Sequence, residues 1–133
     1  MGMIKSEKEL TGSKKKVAEM ELYKSQAADE IRSAAALYGL DSFKAQIEEE
    51  IQEYENIKNG HIPEYFFEFE NIGLLLIALR IKKGWTQARL AQELGVAPSQ
   101  ISRDENNDYH GVSLPTMKKI LKALDFDLII CVK

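Results

Sequence analysis

The chain has 133 residues, enough for one domain or for a small domain with an appendage. Hydrophobic residues make up 44% and charged residues 29%, so it can bury a core and stay soluble at a formal net charge of −3. No apolar run approaches the roughly 18 residues of a membrane span, the opening residues lack a signal-peptide core, and the single Cys131 excludes an internal disulfide.

Charge is unevenly distributed. Residues 1–70 carry nine Lys/Arg against fifteen Asp/Glu, a net of −6, whereas residues 71–133 are at +3. An acidic half joined to a basic half implies two tasks. Only the second half is suited to approach a phosphate backbone.

Residues 1–60 read as an antiparallel helical hairpin. From 13 to 38 there is neither Pro nor Gly, and Val17, Met20, Ala27, Ile31, Ala34 and Tyr38 recur at helical spacing. Ser13 is the expected N-cap, and Gly39 the residue past the helix end. Asp41 then opens a second helix to about Asn59, with Phe43, Ile47, Ile51, Tyr54 and Ile57 on one face and Gly60 as its stop. The short break at Gly39-Leu40 predicts an antiparallel return. The acidic run Glu48-Glu49-Glu50 with Glu53 and Glu55 reads as a solvated face. Residues 61–70 form an aromatic linker: Pro63 interrupts helix, and Tyr65, Phe66, Phe67 and Phe69 suggest a short extended segment that glues the hairpin to the second half.

Residues 71–125 carry the functional signal. Asn71 can cap a helix over 72–83, with Leu75, Leu76 and Leu79 inward and Gly84 as its end. Thr86 caps a short helix, 87–94, that buries Leu90, Ala91 and Leu94. Gly95 suits a left-handed turn, Val96 and Ile101 plug the angle, and Pro98 suits the first position of a helix to about Asn106. A polar loop leads to Ser113, which caps a last helix with Leu114, Met117, Ile120, Leu121 and Leu124 inward. Two short helices about a Gly turn make a helix-turn-helix. Residues 126–133 are β-prone and predict a short C-terminal strand.

Arg80, Gly84, Thr86-Gln87, Leu90-Ala91, Leu94-Gly95-Val96, residues 98–103, Glu105, Leu114, Ile120, Ala123 and Leu124 together resemble the XRE-type helix-turn-helix family of phage repressors and bacterial regulators. The fold class is therefore mainly α: the hairpin, a five-helix-type XRE domain and the terminal strand. The resemblance implies that the helix from Pro98 is the recognition helix, lying in the major groove of double-stranded DNA. It places Pro98, Ser99, Gln100, Ser102, Arg103 and Asn106 on the outer side of that helix, with Ser99 and Arg103 at the positions that reach base edges, Arg103 pairing with a guanine, Ser99 too short to specify much, and Gln100 a second candidate. Gln87 and Asn106 match phosphate contacts. Lys82, Lys83 and Arg89 would add sequence-independent attraction. Arg80 and Glu105 resemble a half-buried family salt bridge, a structural role. Three features depart from the family: Arg89 stands where an acidic residue is frequent, Ala97 replaces a Ser or Thr cap, and the loop 106–111 is long.

An acidic helical appendage before such a domain is similar to HigA-type antitoxins, which bind a toxin and repress their own operon. The leading expectation is thus a cytoplasmic repressor, acting as a homodimer on an inverted-repeat operator, either as the antitoxin of a toxin protein or as a stand-alone regulator. The alternative is a protein-interaction module that keeps the fold without binding DNA. Dimerisation is expected through antiparallel pairing of the 126–133 strands, with the hairpin seam over 17–38 as the other surface. No catalytic constellation is present, His61 and His110 read as loop residues, and neither a cofactor nor a metal is expected, one Cys and two distant His being a poor zinc set.

Overall fold

The structure, a computed structural model, describes residues 2–26 and 34–133, with the side chains of 34–38 excepted. Its α-helices are α1 (Glu7–Gln26), α2 (Ala34–Lys58), α3 (Ile72–Lys82), α4 (Gln87–Leu94), α5 (Pro98–Asn106) and α6 (Leu114–Leu124), with 3-10 turns at Glu64–Phe67 and Phe69–Asn71. Among the described residues there is no strand, and no helix is long and apolar enough to cross a membrane. The chain divides into two compact units, Met1–Asn56 and Ile57–Lys133.

In the first unit, α1 begins well before Ser13. Ser6 Oγ accepts the Glu9 amide at 3.2 Å, and Glu9 Oε2 accepts the Lys5 amide at 2.8 Å. This Ser-x-x-Glu arrangement satisfies amides that a helix start leaves open, so the cap is Ser6 and Ser13 lies inside the helix. The expected break at Gly39-Leu40 is absent, because α2 runs through Gly39 and Asp41. An interior glycine costs a helix about 1 kcal/mol relative to alanine, which is no stop by itself. The two helices are joined through 27–33. Those residues, including Ala27 and Ile31 of the expected seam, lie outside the described ones, as do the side chains of Ala34 and Tyr38.

The antiparallel register is set out by ion pairs: Lys24–Asp41 at 2.8 Å, Lys44–Glu21 at 3.0 Å and Lys14–Glu55 at 2.8 Å. Late residues of α1 meet early residues of α2. Exposed pairs of this kind contribute little stability. The apolar contribution comes from Ile4, Leu10, Ile47 and Tyr54, all buried, of which the first two fell outside the expected helix. Leu22 and Tyr23 are exposed on α1.

The second unit is built around α3. Leu75, Leu76, Ile77, Ala78, Leu79 and Ile81 are all buried, so the helix is covered on every side. α6 packs on it through Ile120, Leu121 and Leu124, and α4 packs on both α5 and α6. The aromatic segment is not extended. It forms the two 3-10 turns, which pack on α3 and run directly into it. Asn71 makes no side-chain cap; its Nδ2 donates to the Tyr65 carbonyl at 2.8 Å and closes the turn. Phe66 is buried edge-on against Tyr65, while Phe67 and Phe69 are exposed. Leu114, expected inward, is 70% exposed, since it sits in the first turn of α6 ahead of the buried stripe.

The loop 107–112 is more constrained than a polar loop. Asp108 and Tyr109 both adopt left-handed backbone angles, φ 51° and 56°, and the Tyr109 ring is buried. Such a conformation is unusual for a bulky residue. It holds because α3 comes close: a Cβ on Gly73 would stand 1.9 Å from the Asp108 carbonyl oxygen. Only a residue without a side chain fits there. Gly73→Ala should therefore destabilise this unit by about 3 kcal/mol, which a urea titration read by circular dichroism will measure.

The Tyr109 hydroxyl is buried without a hydrogen-bond partner. Burial, and then the Glu105 carboxylate, push its ionisation well above the ordinary phenol range. An unpaired buried hydroxyl is a cost, so Tyr109→Phe should leave stability unchanged or raise it by about 1 kcal/mol. The linkage has a definite sign. A raised folded pKa gives a contribution fully present below the ordinary tyrosine value of about 10 and lost as pH climbs from there through the folded value. Equilibrium unfolding between pH 8 and 11.5 should show a decline in the wild type that is shallower in Tyr109→Phe.

Residues 126–133 form no strand. β-propensity yields a strand only when another strand supplies the hydrogen-bond ladder, and the described residues offer none. The tail instead borders a cavity of about 310 Å³ lined by Phe67, Phe69, Ile72, Leu75 and Leu128 to Cys131. Ile129, Ile130 and Val132 are exposed.

Candidate nucleic-acid interface

The helix-turn-helix is assembled from local signals. Thr86 Oγ1 accepts the Arg89 amide at 3.0 Å and starts α4. Gly95 ends it in a left-handed conformation, φ 70° and ψ 30°. The Gly95 amide then donates to the Gln92 carbonyl at 3.2 Å and the Val96 amide to the Ala91 carbonyl at 3.0 Å, the double bond of a Schellman ending. Pro98 opens α5, and Ala97 makes no side-chain cap, as its methyl must. Ala91 is fully buried where α4 and α5 cross, and Ile101 is buried between them. Val96, expected to plug the angle, is exposed; its backbone rather than its side chain closes the turn.

One ion pair fixes α5 against α3. Arg80 Nε donates to Glu105 Oε2 at 2.6 Å and Arg80 Nη2 to Glu105 Oε1 at 2.8 Å. Both side chains are buried. Arg80 Nη1 also donates to the Trp85 carbonyl at 2.7 Å, and Gln87 Nε2 donates to Glu105 Oε1 at 2.9 Å. A planar fork meets a carboxylate along two parallel bonds, and the Trp85 carbonyl and Gln87 amide complete the network. Arg80→Met would leave the Glu105 charge buried and uncompensated. It should lower stability by about 3–5 kcal/mol, measured by thermal and urea unfolding.

With Ile101 and Glu105 turned inward, α5 presents Pro98, Ser99, Gln100, Arg103 and Asn106 as exposed residues and Ser102 as half-buried, so six of the expected site residues share one surface. Gln87 stands apart from them at the first position of α4, half-buried, with its Nε2 donating to Glu105 Oε1. The side chains on the outer face also order one another. Gln100 Nε2 donates to both oxygens of Asp104 at 3.2 Å, and Arg103 Nη2 donates to Gln100 Oε1 at 3.1 Å.

The flanking cations expected to attract phosphate are exposed, and each also makes a contact within the domain. Lys83 Nζ donates to the Leu124 carbonyl at 2.8 Å, capping the end of α6. Arg89 pairs with Glu93 at 3.1 Å, and its guanidinium stands 4.9 Å from the Trp85 ring centroid. Lys83 Nζ is 5.2 Å from the same centroid, and Lys82 Nζ is 5.9 Å from that of Phe126. The sequence alone did not single out Trp85 as the residue that Lys83 and Arg89 gather around; an aromatic between those two cations was the available signal.

A family model described as helix-turn-helix matches residues 76–130. Two curated relatives, both named Antitoxin HipB, align with the chain over 53 residues. That from Escherichia coli O6:H1 is 40% identical, the alignment covering 40% of this chain and 55% of the relative. That from Escherichia coli strain K12 is 38% identical, covering 40% and 59%. The chain thus spans little more than half the length of these relatives, and their name is HipB rather than the HigA type suggested by the appendage. No solved structure matches. The capped and pinned helices and the family match together make residues 76–130 a helix-turn-helix domain of the XRE type.

Proposed function

We propose that the chain is a sequence-specific DNA-binding transcriptional repressor, with α5 lying in the major groove of double-stranded DNA. The observation that carries this reading is the buried Arg80–Glu105 bridge, which holds α5 so that Ser99, Gln100, Arg103 and Asn106 face outward on one rigid surface. Reading base edges requires that side chains arrive already positioned, since each must meet a fixed donor and acceptor pattern. One recognition helix covers only a few base pairs, so a homodimer on an inverted repeat, with half-sites about 34 Å apart, is the matching assembly. The relatives named as antitoxins support a role as the antitoxin of a toxin–antitoxin pair that represses its own operon.

The runner-up is a protein-interaction module that keeps the fold without binding DNA. It is favoured by one observation: Lys83 and Arg89 already have partners within the domain, while Asp104 and Asp108 put negative charge on α5 and just after it. Fluorescence anisotropy on inverted-repeat DNA separates the two. The repressor reading expects binding that weakens steeply with salt. Arg103→Ala should weaken specific binding by about 1–3 kcal/mol and relax one base position, whereas Asn106→Ala should weaken binding evenly across sequences. An intact fold with no salt-dependent binding to any selected DNA would leave the interaction module standing.

A further inference from the structure

We infer that Asp104 is a positioning residue for base reading: it orients the Gln100 amide and, through it, the Arg103 guanidinium, without itself touching a base. The inference rests on the DNA-binding reading above. Gln100 stands one turn before the adjacent Arg103 and Asp104 of α5, and its amide joins the two charged groups. Its Nε2 donates to Asp104 Oδ1 and Oδ2, each at 3.2 Å, and its Oε1 accepts from Arg103 Nη2 at 3.1 Å. The chain of contacts has a direction. A carboxylate only accepts and a guanidinium only donates, so turning the amide over would set acceptor against acceptor at one end and donor against donor at the other. The Gln100 amide therefore has one orientation rather than two.

This arrangement changes what each side chain can read. A glutamine reads adenine with both ends of its amide at once, and here each end already carries one bond within the protein. Gln100 is thereby turned from a base reader into a strut. Arg103 is held by one edge, and the rest of its fork is left to face a guanine. The carboxylate that sets this arrangement would, by itself, be unfavourable near a phosphate backbone. Its place on the exposed helix is explained by what it holds.

The test compares Asp104→Ala with Asp104→Asn in the full chain. Both remove the negative charge; only the first removes the acceptor. Circular dichroism melts establish that each variant folds, and selection from randomised duplex DNA reads the base preference of each. Asp104→Ala should lose guanine preference at the base read by Arg103 by about fivefold or more and gain a new preference beside it, as Gln100 is freed. Asp104→Asn should keep the wild-type preference, because its amide oxygen still accepts from Gln100. Gln100→Ala should match Asp104→Ala at the Arg103 base without gaining the neighbouring preference. Equal shifts in the Ala and Asn variants would reduce Asp104 to a bulk charge effect and overturn the inference, as would an unchanged preference in both. A wild-type protein that selects no sequence would overturn the DNA-binding reading itself, and this one with it.

Discussion

The outward face of α5 depends on a charge pair that is costly to bury. Bringing a guanidinium and a carboxylate out of water costs several kcal/mol for each ion, and their attraction repays it only when the geometry is good and the remaining hydrogen-bonding groups are satisfied. Arg80 and Glu105 meet both conditions: two bonds join them, and the Trp85 carbonyl and the Gln87 amide take up further capacity. Such a pair adds little net stability over an apolar substitute of similar shape. What it adds is direction. It joins α3, the turn before α4, the first turn of α4 and the last turn of α5 at one point, and a hydrophobic contact would tolerate sliding among them that this fork does not.

A second constraint acts just beyond the same end of α5. The chain leaving the helix folds back on α3 so closely that Gly73 must lack a side chain, and the left-handed pair Asp108–Tyr109 inserts an aromatic ring beneath the helix end. The close fit and the ion pair together hold the C-terminal end of α5 against α3. The unpaired Tyr109 hydroxyl is the residual cost of that insertion. The core of α3, buried on every side, is what makes the two constraints bear on one rigid body.

How far all this was legible depended on the range of each interaction. The caps at Thr86 and Ser113, the left-handed Gly95, Pro98 at a helix start and the burial of Ala91 and Ile101 are decided within a few residues, and they stood in the sequence as they stand in the fold. Arg80 and Glu105 are 25 positions apart, and only the family resemblance joined them. The Gly39-Asp41 pair misled because it has the composition of a stop and a start, while the Ser6-to-Glu9 capping box, a plain local signal, was passed over for Ser13. Val96 and Leu114 are apolar residues of the right spacing that sit at helix ends, where spacing no longer implies burial. The 126–133 run has strand propensity and no partner strand among the described residues. Tyr109 and Gly73 form a tertiary fit that no period encodes. Of the site, the outward residues of α5 followed from helical geometry; the commitment of Gln87 to Glu105 and of Gln100 to Asp104 did not, because side-chain partners are chosen by charge and reach rather than by face.

Trp85 is the only tryptophan of the chain. Its carbonyl is bound by Arg80, and its ring lies near both Lys83 and Arg89. The indole is therefore a built-in optical reporter confined to the second unit. Its emission responds to the cations around it and to the water that reaches it, and both change when the Arg80 network opens. Light emitted by this one residue tracks whether the helix-turn-helix is locked, and no label has to be attached to see it.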